Sequence, residues 1–570
     1  MPMPMMHRAA AALALCAATL GAQPPSIRAI DAAPFPSGMV ADKPGTAVAW
    51  VQNAEGVRNL WLARAPEWRG RMLTAFSADD GQELTQLAFS ADGRTLWFVR
   101  GGAPNRAGES PNPTSDPMGA ERAIWRVGTG DSSVAQRVLE GNAPTPSPVG
   151  GLVAFVRRGQ VLAFDGSGAA VVEKPLFRMR GSASGLRFSP DGKQLAFVSE
   201  RGTHAFVGVY GVGSGTLKWM SPSTDTDLAP TWSPDGRQVA FVRLPYETRP
   251  MLFVPRRIAQ PWQVMVADAA QGTARAVFTA AKGSGSAFWE MQSPTQVLWS
   301  ADDRLVFPWE RDGWLHLYAV PAAGGAPVQL DRGPHEVEEV TLGRDGRTVV
   351  FNSNQGDRDR RHLWQVPTDG SAPATRLTPG EGIEWAPTPL AEGRVALLAS
   401  DARQPARAEL WAAGERRALA PQSMPAGYPA AQLVVPSPVT FTASDGVVSY
   451  GQLFLPPAGA VPAGEKARAI VFLHGGSRRQ MLLGWNYGSY YHHAYAMNQA
   501  LALRGWVVVS LNYRSGIGYG RDFREAKDYG AAGGLEYRDV VAAAKWLRRR
   551  PDVDSTKVAL WVGSYGGYLT

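Results

Sequence analysis

Short apolar runs recur between about residue 40 and residue 430, and a polar turn of constant form divides them. The two clearest copies cover residues 186–198 and 230–242, and each has the pattern of a strand, an Asp-Gly turn and a second strand. Glycine adopts positive φ without strain, so the Asp-Gly pair favours a tight hairpin. The pattern therefore predicts a series of antiparallel hairpins along this part of the chain.

Eight copies of the unit can be recognised. Looser copies lie at 87–99 and 340–351, and degenerate copies lie at 47–51, 152–156, 305–307 and 395–398. The copies recur every 40 to 65 residues, a period typical of a β-propeller with about four strands per blade. We predict an all-β propeller of seven or eight blades over residues 23–432, with the Trp and Phe side chains of the repeats in the core between blades.

A different pattern begins after the Pro- and Ala-rich residues 421–438. Apolar runs at 447–455, 469–473, 505–511 and 558–562 alternate with helical patterns at 495–503 and 535–547. Buried strands that alternate with helices indicate a mostly parallel sheet covered on both faces. We therefore expect residues 433–570 to form the N-terminal part of an α/β-hydrolase domain, as a partial and incomplete copy of that fold.

The last apolar run leads directly into Gly563-Ser564-Tyr565-Gly566-Gly567. A strand that stops at a serine between glycines is typical of a nucleophile elbow, because the turn is too tight for neighbouring side chains. An ordinary Gly-Ser loop is the alternative interpretation. The usual pattern is G-x-S-x-G, and Val562 stands at its first glycine position, where we expect it to crowd the turn.

Acyl transfer needs a nucleophile, a base and donors for the developing oxyanion. Ser564 is the candidate nucleophile, and the backbone N–H of Tyr565 is one candidate oxyanion donor. The second donor is expected from the loop His474-Gly475-Gly476, which follows an earlier buried strand. His474 itself is expected on the oxyanion side rather than as the general base.

These motifs together resemble the prolyl oligopeptidase family of serine peptidases, and within it the dipeptidyl peptidase IV and acylaminoacyl-peptidase branches. The resemblance rests on the Asp-Gly repeats, His-Gly-Gly at 474–476, Asn-Tyr-Arg-Ser-Gly at 512–516 and Ser-Tyr-Gly-Gly-Tyr at 564–568. It implies a peptidase that cleaves short peptides, with the propeller limiting access by size. It also implies that Tyr513 and Arg514 support the site loop.

Two functional elements of that family have no counterpart in this sequence. The triad acid and histidine follow the serine in such hydrolases, so they would lie beyond Thr570, and we expect no turnover from these residues alone. The glutamate pair that grips a peptide amino terminus has no clean match. The densest acidic cluster, residues 335–339, is open to two interpretations, a site that captures an amino terminus or a solvated strand edge.

The charge and the N-terminal segment indicate where the protein is located and which partners are expected. The chain has 570 residues and a net charge of +8, and its basic residues are scattered, so nucleic acid is not an expected partner. An apolar run at 9–20 precedes a small-residue cleavage site, which predicts a signal peptide over residues 1–22 and a periplasmic or secreted protein. The single cysteine, Cys16, lies in that segment, so the mature protein is expected to have no disulfide, and no further run is long enough to span a membrane.

No cofactor is expected, and no metal, because the cluster at 335–339 lacks the second histidine of an H-E-x-x-H zinc helix. Short peptide substrates are the expected partners, and the sequence is compatible with a homo-oligomer without defining the number of subunits. Two further hypotheses stay open: a propeller binding protein whose hydrolase portion is a non-catalytic remnant or pseudoenzyme, and an esterase on the same fold.

Overall fold

Eight four-stranded antiparallel sheets follow one another along the chain as the blades of a propeller. The computed structural model describes residues 23–570 except 106, 132, 169–170, 247–259, 284 and 531–533. The predicted signal peptide, with Cys16, lies outside the described residues. The prediction of a propeller with seven or eight blades is confirmed, and the number of blades in the described chain is eight.

The blades take their strands in chain order. Blades 1 to 4 contain β1 (Phe35–Ala41), β2 (Ala47–Ala54), β3 (Val57–Arg64), β4 (Arg71–Met72); β5 (Leu84–Phe89), β6 (Thr95–Arg100), β7 (Ala123–Gly128), β8 (Gln136–Glu140); β9 (Asn142–Pro146), β10 (Leu152–Arg157), β11 (Gln160–Asp165), β12 (Lys174–Pro175); and β13 (Ser182–Phe188), β14 (Gln194–Glu200), β15 (Ala205–Gly211), β16 (Leu217–Trp219). Blades 5 to 8 contain β17 (Thr226–Trp232), β18 (Gln238–Leu244), β19 (Gln263–Asp268), β20 (Ala274–Thr279); β21 (Leu298–Trp299), β22 (Arg304–Trp309), β23 (His316–Pro321), β24 (Val328–Gln329); β25 (Val337–Leu342), β26 (Thr348–Ser353), β27 (His362–Pro367), β28 (Thr375–Arg376); and β29 (Ile383–Pro389), β30 (Val395–Ser400), β31 (Arg407–Ala412), β32 (Glu415–Ala418). Blades 4 and 5 are also joined by one parallel residue pair, Ala205 with Thr226.

The eight sequence copies correspond to the second strand of each blade, which is the strand buried on both faces. In the clearest copies the turn between the first and second strands places Gly192 at φ 72° and Gly236 at φ 71°. In the first of these turns the Ser189 hydroxyl donates to the Asp191 carboxylate at 2.6 Å. The local Ser-x-Asp-Gly chemistry therefore sets each hairpin, and the apolar run after it supplies the core between blades.

The first and last blades close the ring by packing against each other. Trp50 of blade 1 is buried in one apolar cluster with Trp385 and Leu398 of blade 8. The backbone N–H of Ala391 donates to the carbonyl of Gly45 across the same junction, at 2.9 Å. Each blade is built from consecutive strands, so closure rests on these contacts rather than on a strand shared between the two ends.

The second domain contains a five-stranded sheet in the order β33-β34-β36-β35-β37. Its elements are β33 (Ser437–Thr442), β34 (Val448–Phe454), β35 (Ala467–Leu473), α2 (Ser489–Ala502), β36 (Trp506–Asn512), α3 (Arg521–Arg524), α4 (Tyr537–Arg549), β37 (Val553–Val562) and α5 (Tyr565–Tyr568), and an N-terminal helix, α1 (Ile27–Asp31), packs against α2. Strands β35, β36 and β37 are parallel, and β33 and β34 extend the sheet antiparallel at one edge. The predicted mostly parallel α/β-hydrolase sheet is thereby confirmed.

The register of the parallel strands brings their carboxyl ends together. Leu473 at the end of β35 pairs with Leu511 of β36 on one side and with Val562 of β37 on the other. The residues that follow these three strands consequently lie side by side, where sites form in such sheets. No helix in the described part of the chain is long and apolar enough to cross a membrane.

Candidate active site

Ser564 occupies a sharp turn between β37 and α5. Its backbone has φ 50° and ψ −116°, a conformation that a residue with a side chain adopts only under strain. The residue is exposed, while Gly563 and Tyr565 on either side are buried. The serine side chain therefore stands clear of the packing at the tip of the strand.

The loop after β35 passes directly beside this turn. A Cβ on Gly475 would lie 2.8 Å from the Cβ of Ser564 and 2.9 Å from the carbonyl oxygen of Gly563. Only glycine allows the two backbones to approach this closely. Val562, expected to crowd the elbow, instead faces Gly567, where a Cβ would make an ordinary contact of 3.8 Å with the valine Cγ2.

His474 is fully buried, and its ring is stacked on Tyr513 with 4.3 Å between centroids. Its Nδ1–H donates to the carbonyl of Gly475 at 3.2 Å. Burial lowers the pKa of His474 to about 4, so the ring is neutral at physiological pH. A buried, neutral imidazole with this hydrogen bond holds the loop in place, and it is not positioned to take a proton from Ser564.

The hydroxyl of Tyr491, on α2, binds both polar groups of Gly475. It accepts a hydrogen bond from the Gly475 N–H at 3.0 Å and donates to the Gly475 carbonyl at 3.1 Å. That carbonyl belongs to the same planar trans peptide as the N–H of Gly476, and the two groups point in opposite directions. Tyr491 and His474 together therefore orient the Gly476 N–H, which has no hydrogen-bond partner among the described residues.

Tyr513 and Arg514 follow β36 and are both buried. The Tyr513 hydroxyl donates to the carbonyl of His474 at 2.7 Å. Arg514 bridges two carboxylates, Asp539 of α4 at 2.6 Å and Asp445 of the β33–β34 turn at 2.7 Å, and its pKa is raised by these hydrogen bonds against the opposing effect of burial. Arg514 thus joins the sheet to α4, and Tyr513 contacts the glycine loop itself.

The side chain of Tyr565 points beneath the elbow. Its hydroxyl donates to Glu536 at 2.9 Å, and Glu536, which is fully buried, also accepts from the hydroxyl of Ser515 at 3.2 Å. Burial raises the pKa of Tyr565, and the neighbouring Glu536 carboxylate raises it further. The ring thereby anchors Tyr565, whose backbone N–H is a candidate oxyanion donor.

A cavity of about 490 Å³ lies between the two domains next to this loop. Gly476, Arg479 and Tyr491 form part of its hydrolase wall, and Trp289 and Glu290 form part of its propeller wall. A second cavity of about 910 Å³ on the propeller side shares residues 290–292 with the first. The two cavities therefore adjoin at these residues, and the first also borders the loop beside the elbow.

The acidic cluster at 335–339 is part of the contact between the domains. Of the two interpretations of this cluster, the solvated strand edge is wrong, because Glu336 and Glu338 are each only 5% exposed. Glu336 accepts hydrogen bonds from the backbone N–H groups of Gly518 at 2.8 Å and Gly520 at 3.1 Å. Burial raises the pKa of Glu336, with the nearby Arg524 guanidinium opposing this effect.

Sequence reasoning did not assign Tyr491 or Glu536 a role at the site, and it considered Glu336 only as part of the acidic cluster at 335–339. Tyr491 lies in an aromatic stretch, 485–495, and aromatic residues in a sequence normally indicate packing rather than a hydrogen-bonding role. One signal could have found it: Tyr491 lies near the start of the first helix after the glycine loop. A polar side chain there can reach back to the loop. The partners of Glu336 are backbone amides, which carry no signature in a sequence.

Two protein-family models match the chain. The dipeptidyl peptidase IV N-terminal region matches residues 247–399, and the prolyl oligopeptidase family matches residues 492–570. The first match falls in the propeller, and the second covers the part of the hydrolase domain that contains the elbow.

Relatives match over parts of their length. The uncharacterized peptidase YuxL of Bacillus subtilis is 33% identical over 138 residues, covering 24% of this chain and 19% of the relative. Dipeptidyl aminopeptidase BIII of Pseudoxanthomonas mexicana is 33% identical over 142 residues, with the same coverage of 24% and 19%. A probable dipeptidyl peptidase 4 of Aspergillus clavatus is 27% identical over 280 residues, covering 46% of this chain and 34% of the relative. The matches thus span about a third or less of these relatives.

Solved structures extend the similarity of fold over nearly the whole chain. Porphyromonas gingivalis dipeptidyl peptidase 4 has a TM-score of 0.70 at 15% identity, covering 96% of this chain and 82% of that one. A Mycobacterium tuberculosis puromycin-hydrolyzing peptidase has a TM-score of 0.65 at 19% identity, covering 96% and 77%. The propeller followed by a hydrolase sheet thus has the fold of these structures, and residues 492–570 match the prolyl oligopeptidase family.

Proposed function

We propose that this chain carries the nucleophile and the oxyanion loop of a serine peptidase that hydrolyses short peptides through an acyl-enzyme. The observation that carries the proposal is the exposed Ser564 on a strained elbow, in contact with a glycine loop whose Gly476 N–H has no partner. An exposed hydroxyl beside preorganised amide donors is the arrangement that acyl transfer requires.

In the proposed reaction the Ser564 oxygen attacks the carbonyl carbon of the scissile peptide bond. The carbonyl oxygen gains negative charge and is stabilised by the N–H groups of Tyr565 and Gly476. The amine leaves with a proton, and water later releases the acyl group from the serine. Tyr513, Arg514 and Tyr491 act indirectly, since each holds backbone that carries a donor.

The base for this reaction is not among the described residues near the serine. The Ser564 hydroxyl has no hydrogen bond to any described residue, and His474 is buried and neutral. A serine without a base stays protonated and is a weak nucleophile. Residues 23–570 alone are therefore expected to show no measurable turnover.

The two joined cavities support a restriction to short peptides. An approach through the propeller would pass the shared residues 290–292 before reaching the loop at 474–476. A folded protein is too large for cavities of this size, whereas a peptide of a few residues fits. With the apolar segment at 9–20, we further infer action on peptides outside the cytoplasm.

A fluorophosphonate probe tests the nucleophile. The longest gene product that contains these residues is expected to label at Ser564, and Ser564→Ala is expected to abolish labelling without loss of folding. Absence of labelling in a folded product that turns over no peptide would refute the proposal in favour of a binding protein.

Substrate comparison tests the reaction class. Aminoacyl-anilides, acyl-aminoacyl substrates and simple esters are compared at equal concentration, together with a series of increasingly long peptides. We expect amide cleavage that declines with peptide length. Hydrolysis of the esters alone would favour the esterase hypothesis.

A further inference from the structure

Two histidines and an aspartate meet in the propeller, away from the serine. His316 begins β23, Asp331 follows β24, and His335 lies just before β25. The Asp331 Oδ2 atom lies 2.6 Å from His316 Nδ1 and 3.0 Å from His335 Nε2. All three residues are buried, and their ligand-type atoms lie within 4.8 Å of one another.

We propose that His316, Asp331 and His335 bind one divalent metal ion of the Zn²⁺ class. Two imidazole nitrogens and one carboxylate oxygen are a donor set that suits Zn²⁺ and excludes Mg²⁺, which prefers oxygen. Zn²⁺ bonds of about 2.0–2.2 Å place neighbouring ligand atoms roughly 3.3 Å apart. To admit the ion, the 2.6 Å pair needs to separate by roughly 0.7 Å and the 3.0 Å pair by roughly 0.3 Å.

The surroundings of His316 fit a metal ligand. Its second nitrogen, Nε2, is buried without a hydrogen-bond partner among the described residues and lies 3.6 Å from Asp312 Oδ2. Coordination through Nδ1 places the ring proton on Nε2, where it faces the Asp312 carboxylate. A carboxylate behind a coordinating imidazole is the usual second partner in zinc sites.

The carboxylate is also held in place from its other side. Asp331 Oδ1 accepts a hydrogen bond from the backbone N–H of Leu317 at 2.7 Å, which leaves Oδ2 directed at the two histidines. The ligands come from β23 and from the connection between β24 and β25, and not from one helix. A search for the H-E-x-x-H pattern does not detect such a set, and this is why the sequence predicted no metal.

The position of the cluster suggests a structural ion. It joins β23 and the segment after β24 in blade 6 to the segment that enters blade 7. His335 is followed directly by Glu336, which accepts hydrogen bonds from two backbone amides of the hydrolase domain. A bound ion would fix the backbone that presents Glu336 and so stabilise the contact between the domains.

Metal content and thermal stability test the proposal without any activity assay. The chelator-treated protein is titrated with Zn²⁺, and the bound metal is counted after desalting. We expect one Zn²⁺ per chain, a rise in Tm that EDTA reverses, and no response to Mg²⁺. His335→Gln keeps an amide donor for Asp331 but is a poor zinc ligand, so affinity is expected to fall at least about tenfold.

His493→Gln serves as the matched control. His493 also pairs with an aspartate, Asp31, at 2.7 Å, but on the surface, and this variant is expected to keep the full Zn²⁺ response. Equal Zn²⁺ uptake by the wild type and His335→Gln, or no uptake by either in the folded state, would show that the cluster does not bind the ion and would overturn the proposal.

Discussion

A buried ion pair connects the two domains, and its removal gives a sharp test of how they are held together. Arg524 of α3 contacts Glu310, the residue after β22, through two hydrogen bonds of 2.6 and 2.7 Å. Both side chains are at most 3% exposed. The guanidinium also lies over the ring of Trp289, with 3.8 Å from its carbon to the centroid.

The two partners are not equivalent, so their removal is expected to have unequal costs. Glu310→Gln leaves Arg524 near Glu525, 3.5 Å away, and near Glu336. Arg524→Met leaves Glu310 and Glu336 buried without that cation. Removing one partner of a buried pair costs about 3–5 kcal/mol. We expect Arg524→Met to lie in that range and Glu310→Gln to cost about 2 kcal/mol, since part of the pairing remains.

Calorimetric unfolding of the wild type, both single variants and the double variant measures these costs. The double variant is expected to be less destabilised than the sum of the single variants, by at least about 1 kcal/mol, because neither charge is then left unpaired. A control substitution, Arg521→Met, removes a partly exposed neighbour and should have a small effect. Additive single effects, or a larger cost for Glu310→Gln, would refute the reasoning.

The cost of Arg524→Met should also depend on pH. Burial already raises the pKa of Glu336, and loss of the cation raises it further. The folded variant then holds a proton that the unfolded chain releases, so stability is retained at low pH and lost as the pH rises through the raised pKa. We expect a smaller difference from the wild type at about pH 5 than at about pH 8.

Three further outcomes are expected. Tyr491→Phe removes the hydroxyl that orients Gly475, so fluorophosphonate labelling should slow by roughly 10²-fold, with a decrease in Tm because two backbone groups of buried Gly475 lose their partner. Tyr490→Phe, in the exposed neighbour, should label normally. Gly475→Ala places a Cβ 2.8 Å from the Cβ of Ser564, so labelling should be lost with a Tm decrease worth about 1–3 kcal/mol. Burial raises the pKa of Glu339 to about 7, so this carboxyl makes the wild type less stable as the pH rises from about 4.5 to 7. Glu339→Gln should weaken this trend in a pH series of unfolding curves and gain up to about 3 kcal/mol at pH 8.

The parts of the fold that the sequence predicted are those with local causes. The second strand of each blade combines a continuous apolar run with a turn whose chemistry lies within a few residues, as at Ser189 to Gly192. The outermost strands were not predicted, because strands such as β12 and β28 have only two residues, all exposed. Their pairing is set by the blade and not by their own composition.

The candidate site also has a part with a local cause, which the sequence predicted, and parts that depend on distant contacts, which it did not predict. The elbow at Ser564 could be predicted because its glycines are adjacent in the sequence and a tight turn requires them. The bond between Tyr491 and Gly475 spans 16 residues, and that between Glu336 and Gly518 spans 182. A cluster of acidic residues is normally solvated, and no neighbouring residue in the sequence marks Glu336 as an exception. The partners that compensate its charge belong to the other domain.

The nature of the contact between the domains bears on how a substrate reaches the serine. The cavity has one wall from each domain, and charged groups hold the walls together: the pair of Arg524 with Glu310, and Arg361, which bridges Glu338 at 2.8 Å and Gln480 at 2.7 Å. Charges paired in this way regain hydration when they separate, so such a contact adds little net stability compared with an apolar one. Separation of the domains is therefore less costly than the number of buried contacts suggests.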